Sequence, residues 1–329
     1  MKKLFTLAIS LVLFVSFGCS KSNDMQQKSG ITTKKITIAQ YGHVFLYIPL
    51  YVAKNNGFFK DEGLDVDLVS TGGDEKTFAA VASGSAQFGI ADPTFTAIAR
   101  EKGQGGKVIG SIVNGVPFWG VTFNKNMKQI NRPEALAGLR IATYTAPSTN
   151  YTVMKKVLQN DKTPIKAKIV EGSFGSLIAM LKAGKADVAM ELEPVASISV
   201  AEGAQVVYSL SNVFGDFAFT GITTTDAYLK EKPEIVQAAV KAISRAIKFI
   251  RTDFEGTLLI AKKEFPEVEE KILRLALKRM IDENTVPQTV VLSKEAWEHA
   301  INLRKDVGDI KGAALYEENV DMSFASKLN

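Results

Sequence analysis

Pro49-Leu50-Tyr51-Val52-Ala53-Lys54-Asn55-Asn56-Gly57-Phe58-Phe59-Lys60-Asp61-Glu62-Gly63-Leu64-Asp65-Val66 reads as an amphipathic helix that stops at a glycine and turns at once into a strand. Leu50, Val52, Ala53 and Phe58 give the helix an apolar face, and Gly57 is placed to cap its C-terminus. Gly63 ends the turn, and Val66-Asp67-Leu68-Val69 alternates as a strand does. Around this stretch the first part of the chain keeps alternating. Strands are expected at 35–39, 65–69, 88–91, 108–113 and 120–123. Helices are expected at 49–56, from Asp74 to near Gly84 (with Phe78, Val81 and Ala82 on one face), and at 95–101. That order predicts parallel sheets with helical crossovers.

A second unit of the same kind begins near Asn124. A helical turn at 133–137 leads to Gly138 and a strand at 140–143. Ser148 is an N-cap candidate for a helix whose face is Tyr151, Met154, Val157 and Leu158. Strands at 168–170, 187–192 and 205–208 and a helix at 176–183, closed by Gly184, complete the unit. A strand at 217–224 can carry the chain back to the first unit. From Pro233 the chain is almost all helix, and Ile235, Val236, Ala239, Val240, Ile243, Ile247 and Ile250 form one continuous apolar face. Residues 78–91 and 177–190 echo one another as helix, glycine and short strand. Two lobes of similar architecture would produce that echo.

The N-terminus has the form of an export signal. Lys2 and Lys3 precede an apolar run from Leu4 to Phe17, followed by Gly18 and Cys19. The run is short of the ~20 residues that a membrane span needs. Cys19 is the only cysteine, so no internal disulfide can form. A cysteine directly after such a run resembles a bacterial lipoprotein cleavage site, although Ser16 stands where that pattern prefers leucine. The resemblance implies removal of 1–18, lipid attachment at Cys19 and a flexible polar tether over 19–34. The alternative is a secreted protein with a free thiol. Net charge of +5, 46% apolar and 23% charged residues are those of an ordinary globular protein. Lysines on the late helices are interspersed with Glu and Asp, a solvated-face pattern that argues against nucleic acid as a partner. His43 and His299 are the only histidines, so no His/Cys cluster has metal-ligand spacing, and no metal or cofactor is expected.

The 49–66 stretch, Thr71-Gly72-Gly73 before a helix, Pro147-Ser148-Thr149 at a helix start and Glu193-Pro194 together carry a family resemblance. They resemble the solute-binding proteins that feed ABC importers for sulfonates, nitrate, taurine and thiamine precursors. The likeness covers about 36–228 well and the helical tail loosely. Pro147 replaces the family's glycine, and Leu192 stands where a tryptophan usually precedes Glu-Pro. The resemblance implies an α/β, two-lobed periplasmic-binding-protein type 2 fold. Each lobe would be a mixed, mostly parallel sheet flanked by helices, with the helical tail packed on the first lobe. It places 35–121 and 219–329 in the first lobe, 122–218 in the second, and a hinge near 118–123 and 216–221. It also implies a monomer working outside the cytoplasm. Such a protein takes a small molecule into its cleft, passes it to an ABC permease and ATPase, and touches the lipid bilayer only through Cys19.

In open α/β sheets a ligand lies beyond the carboxyl ends of the strands. That rule puts Tyr41, His43, Thr71, Gly72, Gly73 and Asp92 on one side of a cleft, and Tyr144, Ser148, Thr149, Asn150 and Glu191 on the other, with Trp119 beside them. The helix starts at 71–74 and 148–150 offer free N–H groups and a positive dipole end to an anion, or simply cap their helices. Tyr41, Phe45, Tyr47, Phe118, Trp119, Tyr144 and Tyr151 can stack on a flat ligand or pack in the core. No Lys or Arg falls in the cleft segments. Glu191 ends an apolar strand, where a buried carboxylate needs a ligand amine, a protonated ring nitrogen or a structural donor. Asp92 and His43 likewise have a binding and a structural reading. These features favour a flat, nitrogen-bearing ligand of the thiamine-pyrimidine kind over nitrate or a simple sulfonate. Two other functions fit the resemblance: a ligand-sensing partner of a membrane receptor, and an enzyme of thiamine-pyrimidine or menaquinone-precursor synthesis. The export signal, and the lack of an activated nucleophile with a nearby base, argue against the enzyme.

Overall fold

The computed structural model describes residues 33–146, 148–159 and 163–328. The leader expected at 1–18, Cys19 and the tether up to residue 32 lie outside the described residues, as does Pro147. β1 begins at Lys34, the last residue of the expected tether.

The first run of elements is β1 (Lys34–Gln40), α1 (Ile48–Asn55), α2 (Phe58–Asp61), β2 (Leu64–Ser70), α3 (Asp74–Ala82), β3 (Phe88–Ala91), α4 (Phe95–Glu101) and β4 (Gly106–Asn114). The second is β5 (Trp119–Thr122), β6 (Arg140–Tyr144), α5 (Thr149–Gln159), β7 (Lys168–Gly172), α6 (Leu177–Lys182), β8 (Val188–Glu191), α7 (Val195–Ala201), β9 (Gln205–Ser209) and α8 (Leu210–Phe214). The chain then returns through β10 (Ala218–Thr225) and α9 (Asp226–Glu231). It ends in α10 (Pro233–Thr252), α11 (Phe254–Glu264), α12 (Glu270–Asp282), α13 (Lys294–Asp306) and α14 (Tyr316–Asn319).

The opening stretch folds as its glycines direct. Gly57 and Gly63 take φ of +74° and +76°, a left-handed backbone that disfavours any side chain. They split the stretch into α1, the single turn α2, and β2. α1 departs from the amphipathic expectation. Residues 48–53 are all buried, because α10 and α11 pack against it from the far end of the chain. α10 presents the expected face, with Ile235, Val236, Ala239, Val240, Ile243, Ile247 and Ile250 all buried.

Two five-stranded sheets organise the lobes, in the orders β2-β1-β3-β10-β4 and β7-β6-β8-β5-β9. The two match position for position. In each, the first three strands are parallel and the fourth runs antiparallel between its neighbours. The repeated segment accounts for the echo in sequence: α3 leads into β3 as α6 leads into β8. Each fourth strand enters its sheet straight from the other lobe, β5 after β4 and β10 after β9 and α8. The expected boundary at 121/122 therefore moves. β5 pairs with β8 and β9, so the first crossing lies between Asn114 and Trp119. The two crossings run side by side. Gly115 N–H donates to the Phe217 carbonyl at 3.1 Å, and Asn114 Nδ2 donates to Asp216 Oδ1 at 2.7 Å.

The C-terminal helices pack on the first lobe and also reach the second. α12 lies against α7, and α13 against α5. Arg279 on α12 donates to Glu193, whose side chain is wholly buried and also accepts from Ser197 N–H and Oγ. Just past α12, Glu283 Oε2 accepts from Trp119 Nε1 at 2.8 Å and from Ser209 Oγ. These contacts tie the tail to one end of the β5–β9 pair, where Trp119 and Ser209 stand opposite each other, and to the segment after β8. Arg279→Ala strands the Glu193 carboxylate without its counter-ion. Urea denaturation of that variant should show a loss of ~3–5 kcal/mol. A loss below ~1 kcal/mol, the range of an exposed pair, would contradict the buried-pair account.

Candidate functional site

The carboxyl ends of β1, β3, β6 and β8 converge on a cavity of about 180 Å³ between the lobes. This is small beside the ~300–1,000 Å³ of sites for drug-sized ligands, so it suits a single ring. Six of its fifteen lining residues are aromatic. Tyr41 and Tyr47 come from the first lobe, Tyr144 and Phe174 from the second, and Phe118 and Phe219 from beside the crossings. The rings support one another: Phe118 meets Tyr144 and Phe219 edge-on at 6.3 and 5.8 Å, and Phe174 tilts over Tyr144 at 5.2 Å. Phe174 is two-thirds exposed (66%), although large apolar side chains are normally covered. No Lys or Arg is among the lining residues.

Glu191 lies beneath this wall. It is the last residue of β8, pairs in register with Trp119 on β5, and is 1% exposed. Tyr144 Oη donates to its Oε2 at 2.6 Å. Its other oxygen, Oε1, has no hydrogen-bond partner among the described residues. Burial pushes the carboxyl up to about 7, against the pull of the Tyr144 hydroxyl and the Leu192 N–H. Burial and the neighbouring charge of Glu191 in turn push the Tyr144 hydroxyl far above its ordinary value. Asn150, in the first turn of α5, repeats the pattern. Its Nδ2 donates to the Met190 carbonyl at 2.7 Å, while Oδ1, fully buried, has no partner. Two buried acceptors on adjoining elements thus lack donors. Native structures rarely tolerate that unless another group completes the set.

The first lobe contributes carboxyls too. Asp92 follows β3 and is fully engaged: Oδ1 accepts from Thr94 N–H and Oγ1, and Oδ2 from Arg304. Asp74 begins α3 and accepts the Asp92 N–H at 2.9 Å. Burial, and then the charge of Asp92, raise the Asp74 carboxyl to about 6. The helix start expected to attract an anion therefore carries a carboxyl of its own.

Of the twelve residues expected at the cleft, Tyr41, Asp92, Tyr144, Ser148, Thr149 and Asn150 line the cavity. Glu191 reaches it through Tyr144. Thr71, Gly72 and Gly73 do not line it; they build the turn beneath Tyr41. Gly72, at φ +76°, donates to the Tyr41 carbonyl, and Thr71 Oγ1 bonds Thr77 Oγ1 and the Gln40 and Gly73 carbonyls. His43 is turned away from the cavity. Its Nε2 meets Glu264 Oε2 at 2.9 Å, and its ring stacks on Phe265. Trp119 is wholly buried, its indole N–H spent on Glu283. Ser148 caps α5 as expected, accepting from the Tyr151 N–H at 3.3 Å. Phe45 packs in the core against Phe265, whereas Tyr47 reaches the cavity. Val44, Leu46, Phe174, Phe219 and Thr220 are lining residues that the sequence reading did not single out; Asp74 entered it only as part of a helix start, and Leu192 only as a departure from the family pattern. The sharpest signal for Phe174 is an aromatic residue between Ser173 and Gly175, in a segment otherwise built for a turn.

Residues 44–256, more than half of the chain, match the family described as NMT1/THI5 like. Among relatives, the formylaminopyrimidine-binding protein of Halalkalibacterium halodurans is 24% identical, over 89% of this chain and 91% of that one. A 4-amino-5-hydroxymethyl-2-methylpyrimidine phosphate synthase of Aspergillus parasiticus is 24% identical, over 67% of this chain and 68% of that one. Among solved structures, the periplasmic aliphatic sulphonate binding protein SsuA of Escherichia coli aligns with a TM-score of 0.70 at 14% identity, over 88% of this chain and 92% of that one. That likeness is one of fold, the two-lobed periplasmic-binding-protein type 2 architecture. The matched segment runs from just past β1 through β10 and into α11, and the chain belongs to the NMT1/THI5-like family.

Proposed function

We propose that this protein is an extracytoplasmic solute-binding protein, monomeric and anchored by lipid at Cys19. It captures a flat, amino-bearing ring compound of the thiamine-pyrimidine kind and passes it to an ABC importer. The observation that carries the ligand class is the pair of buried acceptors, Glu191 Oε1 and Asn150 Oδ1, left without donors beside an aromatic cavity. An unpaired buried carboxylate is costly, and a ligand N–H or protonated ring nitrogen removes that cost. A single ring can bring such groups in its plane while its faces meet Tyr144 and neighbouring aromatics. A sulfonate or nitrate brings only acceptors and would meet Asp74 and Asp92 with no basic side chain in the lining. The formylaminopyrimidine-binding relative is named for a ligand of the favoured kind. The pyrimidine phosphate synthase relative points to the same ring with a catalytic role. The signal-like order of 1–18, ending at Cys19, supports capture outside the cell over synthesis within it.

Thermal denaturation of the purified protein tests the ligand class. 4-Amino-5-hydroxymethyl-2-methylpyrimidine at a hundred times its dissociation constant should add ~2.7 kcal/mol and raise the midpoint by several degrees. Taurine, alkanesulfonates and nitrate should leave it in place. A shift with a sulfonate and none with the pyrimidine would reverse the assignment.

Glu191→Gln should act in opposite directions on binding and on stability. Loss of a charge-assisted bond should weaken pyrimidine binding tenfold or more, ~1.5–3 kcal/mol. Without ligand, the sign follows from the raised carboxyl, about 7 when folded against an ordinary 4.5. The folded chain holds this proton more tightly than the unfolded chain. The resulting stability is complete below about pH 4.5 and is lost as pH rises through 7. The amide carries no such penalty, so the variant should exceed the wild type at pH 8 by ~1–3 kcal/mol and gain nothing at pH 4. Equal stability of the two proteins at both pH values would count against a strained, unpaired Glu191.

A further inference from the structure

The ligand's N–H donors proposed above meet the second lobe; the first lobe puts a carboxyl into a cavity whose lining holds no Lys or Arg. Asp74 faces the cavity from the start of α3. One of its oxygens accepts the Asp92 N–H, and no side-chain donor reaches the other among the described residues. The nearest cation is already committed. Arg304 on α13, 6% exposed, spends its guanidinium on Asp92 Oδ2, Asp309 Oδ2 and Thr94 Oγ1. Its charge reaches Asp74 as well, but its hydrogen bonds go to Asp92, Asp309 and Thr94 and none to Asp74. The hydroxyls of Tyr41 and Tyr47, both on the cavity wall, feel its charge. Across the same cavity, Asn150 Oδ1 is wholly buried and lacks a donor. The cavity wall therefore presents acceptors from both lobes, Asp74 on the first and Asn150 Oδ1 on the second, and no cationic side chain in its lining.

We propose that Asp74 is the first lobe's contact for a second, cationic nitrogen of the ligand. The solute is then an amino-substituted ring bearing a protonated amine arm. Its ring amine meets Glu191 and Asn150 on the second lobe, and its ammonium meets Asp74 on the first. Such a ligand bridges the lobes and gives each a reason to close on it. This inference rests on the proposed ligand class and adds the charge of the substituent. It also accounts for the acidic start of α3, a position where an anion-binding protein would leave the backbone N–H groups free.

Calorimetric titration at pH 7.5 with two probes of the same shape tests it: 4-amino-5-aminomethyl-2-methylpyrimidine, which carries the ammonium, and its 5-hydroxymethyl counterpart, which does not. The wild type should bind the aminomethyl compound at least ~tenfold more tightly, as a charge-assisted contact requires. Asp74→Asn keeps an acceptor for the Asp92 N–H and removes the charge, and should shrink that preference to within ~threefold. Glu191→Gln should weaken both compounds by similar factors and preserve the preference. Equal binding of the two by the wild type, or a preference that survives in Asp74→Asn, would overturn the role of Asp74 and leave the pyrimidine reading standing. Binding of neither compound by folded wild type would overturn both. The wild-type comparison decides the matter even if Asp74→Asn proves unstable.

Discussion

A carboxyl at the end of a buried strand, held on one oxygen by a tyrosine and on the other by nothing, sets the terms for this cleft. Glu191 closes β8, a four-residue strand buried throughout, and Tyr144 at the end of β6 donates to it. The pairing fixes the Tyr144 ring over the carboxyl, and that ring in turn orders Phe118 and Phe174 around the cavity. A hydrocarbon side chain at 191 would leave Tyr144 Oη without its acceptor. The site's electrostatics and its aromatic wall thus share one hydrogen bond. An acceptor left open at Glu191 Oε1, with another at Asn150 Oδ1, is the basis on which the proposed ligand is a donor.

The lobes are positioned for this by an exchange of strands. β5 and β10 each take the fourth place in a sheet whose first three strands belong wholly to one lobe. The chain therefore crosses twice, and the crossings are bonded to each other near Gly115 and Phe217. The lobes are joined by that pair of segments and by the tail, where Arg279 and Glu283 hold Glu193, Trp119 and Ser209. The cavity lies at the carboxyl ends of the strands, the usual place for ligands in open α/β sheets. Its polar groups come from strand ends and first helical turns, the positions least free to drift.

Much of this was legible in the sequence because it depended on near neighbours. The glycine-punctuated opening, the echo between 78–91 and 177–190, and the apolar face of α10 all express local periodicity and turn chemistry. Glu191 was legible for the same reason, as a carboxylate ending an apolar strand. What failed to show depended on partners far along the chain. His43 pairs with Glu264 and Trp119 with Glu283, and nothing local to either histidine or tryptophan announces those partners. α1 reads as amphipathic alone and is buried all round only because α10 and α11 arrive later. Asp74 was hidden by a plausible local role at a helix start. That Arg304, 230 residues on, would bond Asp92 and Asp309 and not Asp74 could not be read locally.

The central claim is that Glu191 Oε1 and Asn150 Oδ1 await the N–H groups of a ring compound. A crystal structure of the protein with bound 4-amino-5-hydroxymethyl-2-methylpyrimidine tests it most directly. The account predicts the ring in the cavity beside Tyr144, with ring-amine N–H groups within hydrogen-bond reach of both oxygens. A ring bound elsewhere, or bound in the cavity with Glu191 Oε1 and Asn150 Oδ1 still unpartnered, would contradict it.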